Sequence, residues 1–167
     1  MGGPFLGPSD LTKDDLDAMA EIQLITYREH QQQFPVYFRE HVSLDEIKAE
    51  VRTYLPRWRF ISERTRFAFG MRDDRQLVGY LLYSIHLIEG EMLQTDGISF
   101  FVVDVSVHPK FRGQGVGKDL LTEVVTRARN HAKSSVHASV WSTNKESAAL
   151  FEDLGFEPAA TTYFRLT

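Results

Sequence analysis

The sequence predicts a mixed α/β fold in one domain, with helices on both faces of a central sheet. Three observations carry this. Two stretches with helical periodicity open the chain. A hairpin pattern follows, and then a strand that is apolar on both faces. Last, a glycine-rich turn feeds a third helix, and strand, helix and strand alternate to the end. The expected order is therefore α-α-β-β-β-α-β-α-β.

The first helix is expected over about 12–30. Thr12 followed by Asp15 resembles a capping box, and Leu16, Met19, Ala20, Gln23 and Tyr27 fall along one stripe. A second helix starts at Ser43, which forms an S-x-x-E box with Glu46. Leu44, Ile47, Val51 and Leu55 carry its stripe, and Pro56 is expected to end it. The connection between them is rich in aromatic residues: Phe34, Tyr37 and Phe38. The period then changes. Residues 67–71 and 77–87 read as strands around a turn at 73–76, and 89–97 as a polar loop. Residues 98–107 are apolar except at Asp104 and Ser106 among their later positions, the pattern of a central strand. A helix over about 115–133, a strand over 136–141, a helix over 144–154 ended by Gly155, and a short strand over 163–166 complete the chain. Residues 1–9 read as a flexible arm and 10–167 as the domain.

At 167 residues the chain suits one domain, and a domain of this size buries roughly 70% of the surface its unfolded chain exposes. There is no cysteine, which removes thiolate metal sites, disulfides and cysteine nucleophiles. With 19 basic and 23 acidic residues the formal charge is −4, so no basic footprint for nucleic acid is expected. The apolar stretches are too short and interrupted to span a bilayer. The six histidines show no ligand spacing, and no metal is expected. The default expectation is a soluble cytoplasmic protein with no membrane or nucleic-acid partner.

The richest signal is the turn between the central strand and the third helix: Arg112, Gly113, Gln114, Gly115, Val116, Gly117 and Lys118. Glycines there allow a tight turn and a close approach to a ligand. Free N–H groups at a helix start, with its dipole, seat phosphate oxygens. A P-loop fits poorly, because Arg112 stands at its first glycine and Asp119 at its Ser/Thr. A dinucleotide fingerprint also fits poorly, because Lys118 stands at its third glycine.

The run from Arg112 to Gly117 matches R-x-x-G-x-G/A and so resembles the pyrophosphate signature of the GNAT superfamily of N-acetyltransferases. The preceding run from Val107 resembles that family too. So does the later segment Trp141-Ser142-Thr143-Asn144, followed by Ala148, Phe151 and the Gly155-Phe156 exit. The resemblance implies a mostly antiparallel sheet with splayed central parallel strands, and acetyl-CoA as cosubstrate. It implies direct attack of a primary amine, most simply of a small molecule, within a ternary complex. Backbone groups of Val105, Ser106 and Val107 would pair with the pantetheine arm. The N–H groups of Arg112, Gly113, Gln114, Gly115, Val116, Gly117 and Lys118 would seat the pyrophosphate, with Arg112 and Lys118 adding charge. Asn144 would contact the arm, cap the last helix, or do both.

The reaction needs a base for the amine proton and an acid for the departing thiolate. Asp104 is the best base in the sequence; its alternative is a structural acid held by backbone donors or a cation. Phe151 stands where many family members place a tyrosine acid. Either no acid is needed, or another hydroxyl serves (Tyr163, Ser147 or Tyr83), or the domain only binds acyl-CoA as a sensing module. Tyr27, Phe34, Tyr37, Glu89 and Glu91 are the acceptor-site candidates, with Phe34, Tyr37 and Phe38 as aromatic walls or as packing for the helix pair. Dimers are common in the family, but the sequence locates no interface for a homodimer.

Overall fold

The computed structural model describes residues 5–60, 65–89, 96–163 and 165. Its sheet has five strands in the order β1-β2-β3-β4-β5: β1 (Phe5–Asp10), β2 (Arg66–Asp73), β3 (Gln76–Ile88), β4 (Gly97–Val107) and β5 (Ser134–Ala138). Neighbours from β1 to β4 pair antiparallel, and β4 pairs with β5 parallel. The helices are α1 (Leu16–Gln33), α2 (Leu44–Phe60), α3 (Val116–Arg129) and α4 (Lys145–Asp153).

Each sheet face buries one apolar cluster. On one face Leu77, Tyr80 and Leu82 of β3 meet Met19, Ala20 and Ile22 of α1 and Ile47 and Val51 of α2. On the other, Phe69, Leu81, Tyr83, Phe100 and Val102 meet Val116, Leu120, Leu121 and Val124 of α3 and Phe151 of α4. The doubly apolar reading of the central strands follows from this burial on both sides.

The helix starts form as their sequences predict. The Thr12 N–H and hydroxyl both donate to Asp15 Oδ2, at 2.7 and 2.9 Å, in a capping box. Before α2 the Ser43 N–H and hydroxyl both donate to Glu46 Oε2 at 2.9 Å, and the Glu46 N–H donates to Ser43 Oγ at 3.2 Å. At the end of α4, Gly155 takes φ +82° and the Phe156 N–H donates to Phe151 O at 3.1 Å, so the expected glycine stop is present.

Several boundaries differ. Residues 5–9, expected within a flexible arm, form β1 together with Asp10 on the open edge of β2. The Arg72 side chain secures it, donating to Ser9 Oγ at 2.6 Å and to Asp10 O at 3.2 Å. The second helix continues to Phe60 rather than ending at Pro56, because a proline removes one backbone bond without obliging a helix to stop. The third helix stops earlier than expected, at Arg129, where the Ser134 hydroxyl bonds Ala128 O at 2.6 Å and Lys133 adopts φ +53°. The next strand therefore covers 134–138 rather than 136–141. The final strand is not formed at Tyr163, which lies outside any strand and is 92% exposed. Most of the rest of that expected strand lies outside the described residues. Among the described residues, no helix is long and apolar enough to cross a membrane.

Candidate active site

The centre of the site is a change of face along β4. Phe100 and Val102 point into the cluster beneath α3, and so, further on, do Val105 and Val107. Strict alternation would not allow this. The cause is a bulge: Leu82 pairs with Asp104 and Tyr83 with Val102, which leaves Val103 without an opposite residue. That one extra residue turns Asp104 and Ser106 toward α1. Parallel pairing with β5 also stops there, at Val102↔Ala138. From Val103 onward the two strands part, and a cavity of about 130 Å³ opens between them. Thr26, His30, Asp104, Val105, Trp141 and Asn144 are among its walls.

Asp104 is held from two sides. The Tyr80 hydroxyl donates to its Oδ2 at 2.6 Å and the Ser106 hydroxyl to its Oδ1 at 2.9 Å. The Thr26 hydroxyl in turn donates to Ser106 Oγ at 3.4 Å, which ties α1 to β4. Burial pushes the Asp104 carboxyl above its ordinary range. The bonds from Tyr80 and Ser106 and the nearness of His30 oppose that rise without cancelling it. Burial and then the adjacent carboxylate drive the Tyr80 phenol far up, so it remains a proton donor. Tyr54, bonded to Gln23 Oε1 at 3.0 Å, is raised for the same two reasons. His30 is shifted down by burial, against the pull of Asp104 and Glu29.

The glycine turn prepares the second half of the site. Gly113 and Gly115 take φ +71° and +90°, a region in which a side chain is strained, and Gly115 is the N-cap of α3. The first N–H returned into the helix is that of Asp119, donated to Gly115 O at 2.9 Å. The N–H groups of Val116, Gly117 and Lys118 precede it at the positive end of the helix dipole. Gly117 sits where α3 closes on α4: a Cβ there would stand 3.1 Å from Leu150 Cδ2, a tight approach to the end of a side chain. Gln114 folds back to donate to Lys110 O at 2.9 Å, and Lys118 is exposed.

Arg112, expected to add charge for the pyrophosphate, makes a two-bond fork to Glu29 at 2.8 Å each and donates to Val107 O at 3.1 Å. Its geometry braces the turn against α1. Asn144 caps α4 by accepting from the Ser147 N–H at 3.0 Å, and it also lines the cavity. Phe151 lines the cavity while 7% exposed, packed edge-on against Phe156 at 5.0 Å. Tyr163, the alternative acid, is not among the residues around Asp104. Glu89 is exposed and lines no described cavity, and Glu91 lies outside the described residues.

The aromatic candidates gather around a residue that the sequence reading left without a role. Trp141, just past β5, has Phe34 at 4.9 Å, Tyr37 at 5.2 Å, Phe38 at 5.5 Å and His30 at 6.1 Å between ring centroids. Tyr27 meets Phe38 edge-on at 5.4 Å and lines a separate groove of about 430 Å³, between α1 and the connection to α2. Asp104 is not among the residues that line that groove. Sequence reasoning missed His30, Tyr80 and Trp141. The only available signal was the cost of burying Asp104, which demands donors from neighbouring strands without saying which.

This arrangement can do three things: pair an extended amide-bearing chain along the parted strands, seat an anion at the start of α3, and take a proton near Asp104. The residues present thus suit a coenzyme A thioester, whose amide arm and pyrophosphate need the first two. Among the described residues no cluster of His, Cys, Asp and Glu is placed to hold a metal ion.

Comparison with known proteins agrees with this geometry. The Acetyltransferase (GNAT) family matches residues 19–156. The L-methionine sulfoximine/L-methionine sulfone acetyltransferase of Salmonella typhimurium is 35% identical over 97 residues, 53% of this chain and 57% of that protein. The L-amino acid N-acyltransferase MnaT of Escherichia coli is 35% identical over 68 residues, 40% of each. The chain therefore spans about half the length of the curated relatives it matches. The structure of a tetramutant of the BH1408 protein from Bacillus halodurans covers 97% of this chain, and this chain covers all of that one. Its TM-score is 0.78 at 14% identity. The aminoglycoside antibiotic 6′-N-acetyltransferase AAC(6′)-IG of Acinetobacter haemolyticus covers 97% of the chain, which covers 99% of it, with TM-score 0.66 at 17% identity. Identities this low speak for the fold alone.

Proposed function

This chain belongs to the Acetyltransferase (GNAT) family, and from that premise we propose that it transfers an acetyl group from acetyl-CoA to the primary amine of a small, amino-acid-like molecule. The observation that carries this reading is the parting of β4 and β5 directly beside Asp104, one strand length from the glycine turn. The two curated relatives, an acetyltransferase of methionine derivatives and an L-amino acid N-acyltransferase, favour an acceptor of that class.

The cosubstrate supplies an activated acyl carbon and a thiolate leaving group. Everything else falls to the chain. The backbone of Val105, Ser106 and Val107 pairs with the pantetheine arm along the edge that β5 vacates, and Asn144 closes its other side. The N–H groups from Gly113 to Lys118 hold the pyrophosphate, so that the acyl carbon lies near the bulge. Binding both substrates in one cavity permits direct attack, and proximity alone is worth several kcal/mol of barrier. A primary amine carries a proton at neutral pH, with a pKa of about 10 for a lysine-like group. Asp104 and its donors Tyr80 and Ser106 form the polar centre through which that proton leaves. Phe151 offers no proton to the thiolate, so its side chain takes no part in that group's protonation.

The test is thiol release from acetyl-CoA with a panel of amines. The expected result is release that depends on amino acids and their close analogues and is absent with polyamines. Tight acetyl-CoA binding without release for any amine would favour an acyl-CoA-sensing module instead.

A further inference from the structure

Two titratable side chains line the cavity beside the bulge, Asp104 and His30. They differ in what they have left to offer. Both oxygens of Asp104 already accept hydroxyl bonds, from Tyr80 and from Ser106. Among the described residues, neither ring nitrogen of His30 has a hydrogen-bond partner; its aromatic neighbours are Phe38 at 5.8 Å and Trp141 at 6.1 Å between ring centroids. A neutral imidazole offers one nitrogen lone pair, and here it shares a cavity with a carboxylate that favours its protonated form. The charged groups acting on it are Asp104 of β4 and Glu29 of α1, the latter already bound by the guanidinium of Arg112.

Resting on the acetyltransferase reading, we propose that His30 is the proton acceptor for the attacking amine, with Asp104 as the positioning residue that stabilises the imidazolium formed. As the bond between nitrogen and acyl carbon forms, the nitrogen gives its proton to the free ring nitrogen. The C–S bond then breaks, and the electron pair leaves on sulfur. The imidazolium proton passes to that thiolate or to solvent, so the products are an amide and a free thiol, with no change of oxidation state. The role assigned to Asp104 changes accordingly: it holds charge and does not itself carry the proton. Its two hydroxyl donors favour the charged form against burial, and that charge acts on the ring across the shared cavity without a direct hydrogen bond.

The test is the pH dependence of kcat for the full chain, with saturating acetyl-CoA and amine. In the wild type kcat rises along a single-proton limb. His30→Gln is expected to lower kcat by roughly 100-fold or more and to remove that limb. His30→Phe keeps a ring against Phe38 and Trp141, so it separates chemistry from packing, and the same loss is expected. Asp104→Asn removes the carboxylate that favours the imidazolium, so the limb should move to lower pH. The His30 ring resonance, titrated by NMR, should move with it. A limb that stays in place in His30→Phe, or does not move in Asp104→Asn, overturns the proposal. No thiol release by the wild type with any amine would instead overturn the acetyltransferase reading, and this one with it.

Discussion

Tyr80→Phe removes one oxygen from a fully buried ring and with it the 2.6 Å bond to Asp104 Oδ2. The cost depends on the charge of the partner. The folded carboxyl is raised above its unfolded value of about 3.9, so the stability tied to its proton is present below that value and lost as pH rises through the folded pKa. The bond from Tyr80 limits that rise. Without it the folded pKa climbs further and the loss at higher pH grows. To the ionised carboxyl the missing bond is worth about 1.5–3 kcal/mol and to the protonated one about 1 kcal/mol, so the cost should be larger at about pH 8 than at about pH 4. For a chain of this size each kcal/mol moves Tm by about 2–4 °C. Urea unfolding of both proteins at the two pH values measures the difference directly. A destabilisation that is equal at both pH values, or larger at the acidic one, would refute the account of Asp104 as a buried carboxylate held by Tyr80.

Three further outcomes are expected. Arg72→Ala strands the buried Asp15 carboxylate, whose forked bond to Arg72 and bonds from Thr12 outweigh burial and hold it below the usual range. The variant should lose about 3–5 kcal/mol at neutral pH. In the wild type the Asp15 contribution is present above about pH 4 and lost as pH falls through its depressed pKa, so the variant should also lack that acid limb in its unfolding profile. Gly115→Ala forces a side chain to φ +90° and should cost about 1–2 kcal/mol while weakening acetyl-CoA binding in calorimetry; unchanged affinity would show that the turn does not seat the ligand. Phe151→Tyr sets a phenol hydroxyl in the cavity wall and should raise kcat in thiol-release assays, whereas an unchanged kcat would show that thiolate departure is not limiting.

The sequence revealed the parts of this protein that obey local rules. Capping boxes at Thr12 and Ser43, the Gly155 stop, the hairpin turn and the glycine turn each rest on a few adjacent residues, and each is present. What escaped depends on pairing at a distance. β1 exists because β2 offers it an edge and Arg72 reaches across to it; nothing within residues 5–10 demands a strand. The bulge at Val103 shows in sequence only as a shift in apolar parity, and its effect on Asp104 needs the register with β3. The donors of Asp104 follow from that same register, and Tyr80 is 24 positions away. His30 and Trp141 join the site only when α1 crosses the sheet. The fork between Arg112 and Glu29, 83 positions apart, likewise shows only in the folded chain.

The most direct test of the central claim is mass analysis of an amino acid incubated with the protein and acetyl-CoA, run beside a count of thiol released. The account predicts one acetyl group on the amine nitrogen for each thiol set free, with both signals lost when the amine is already acylated. Thiol released without acetylated amine, or neither signal despite bound acetyl-CoA, would contradict it.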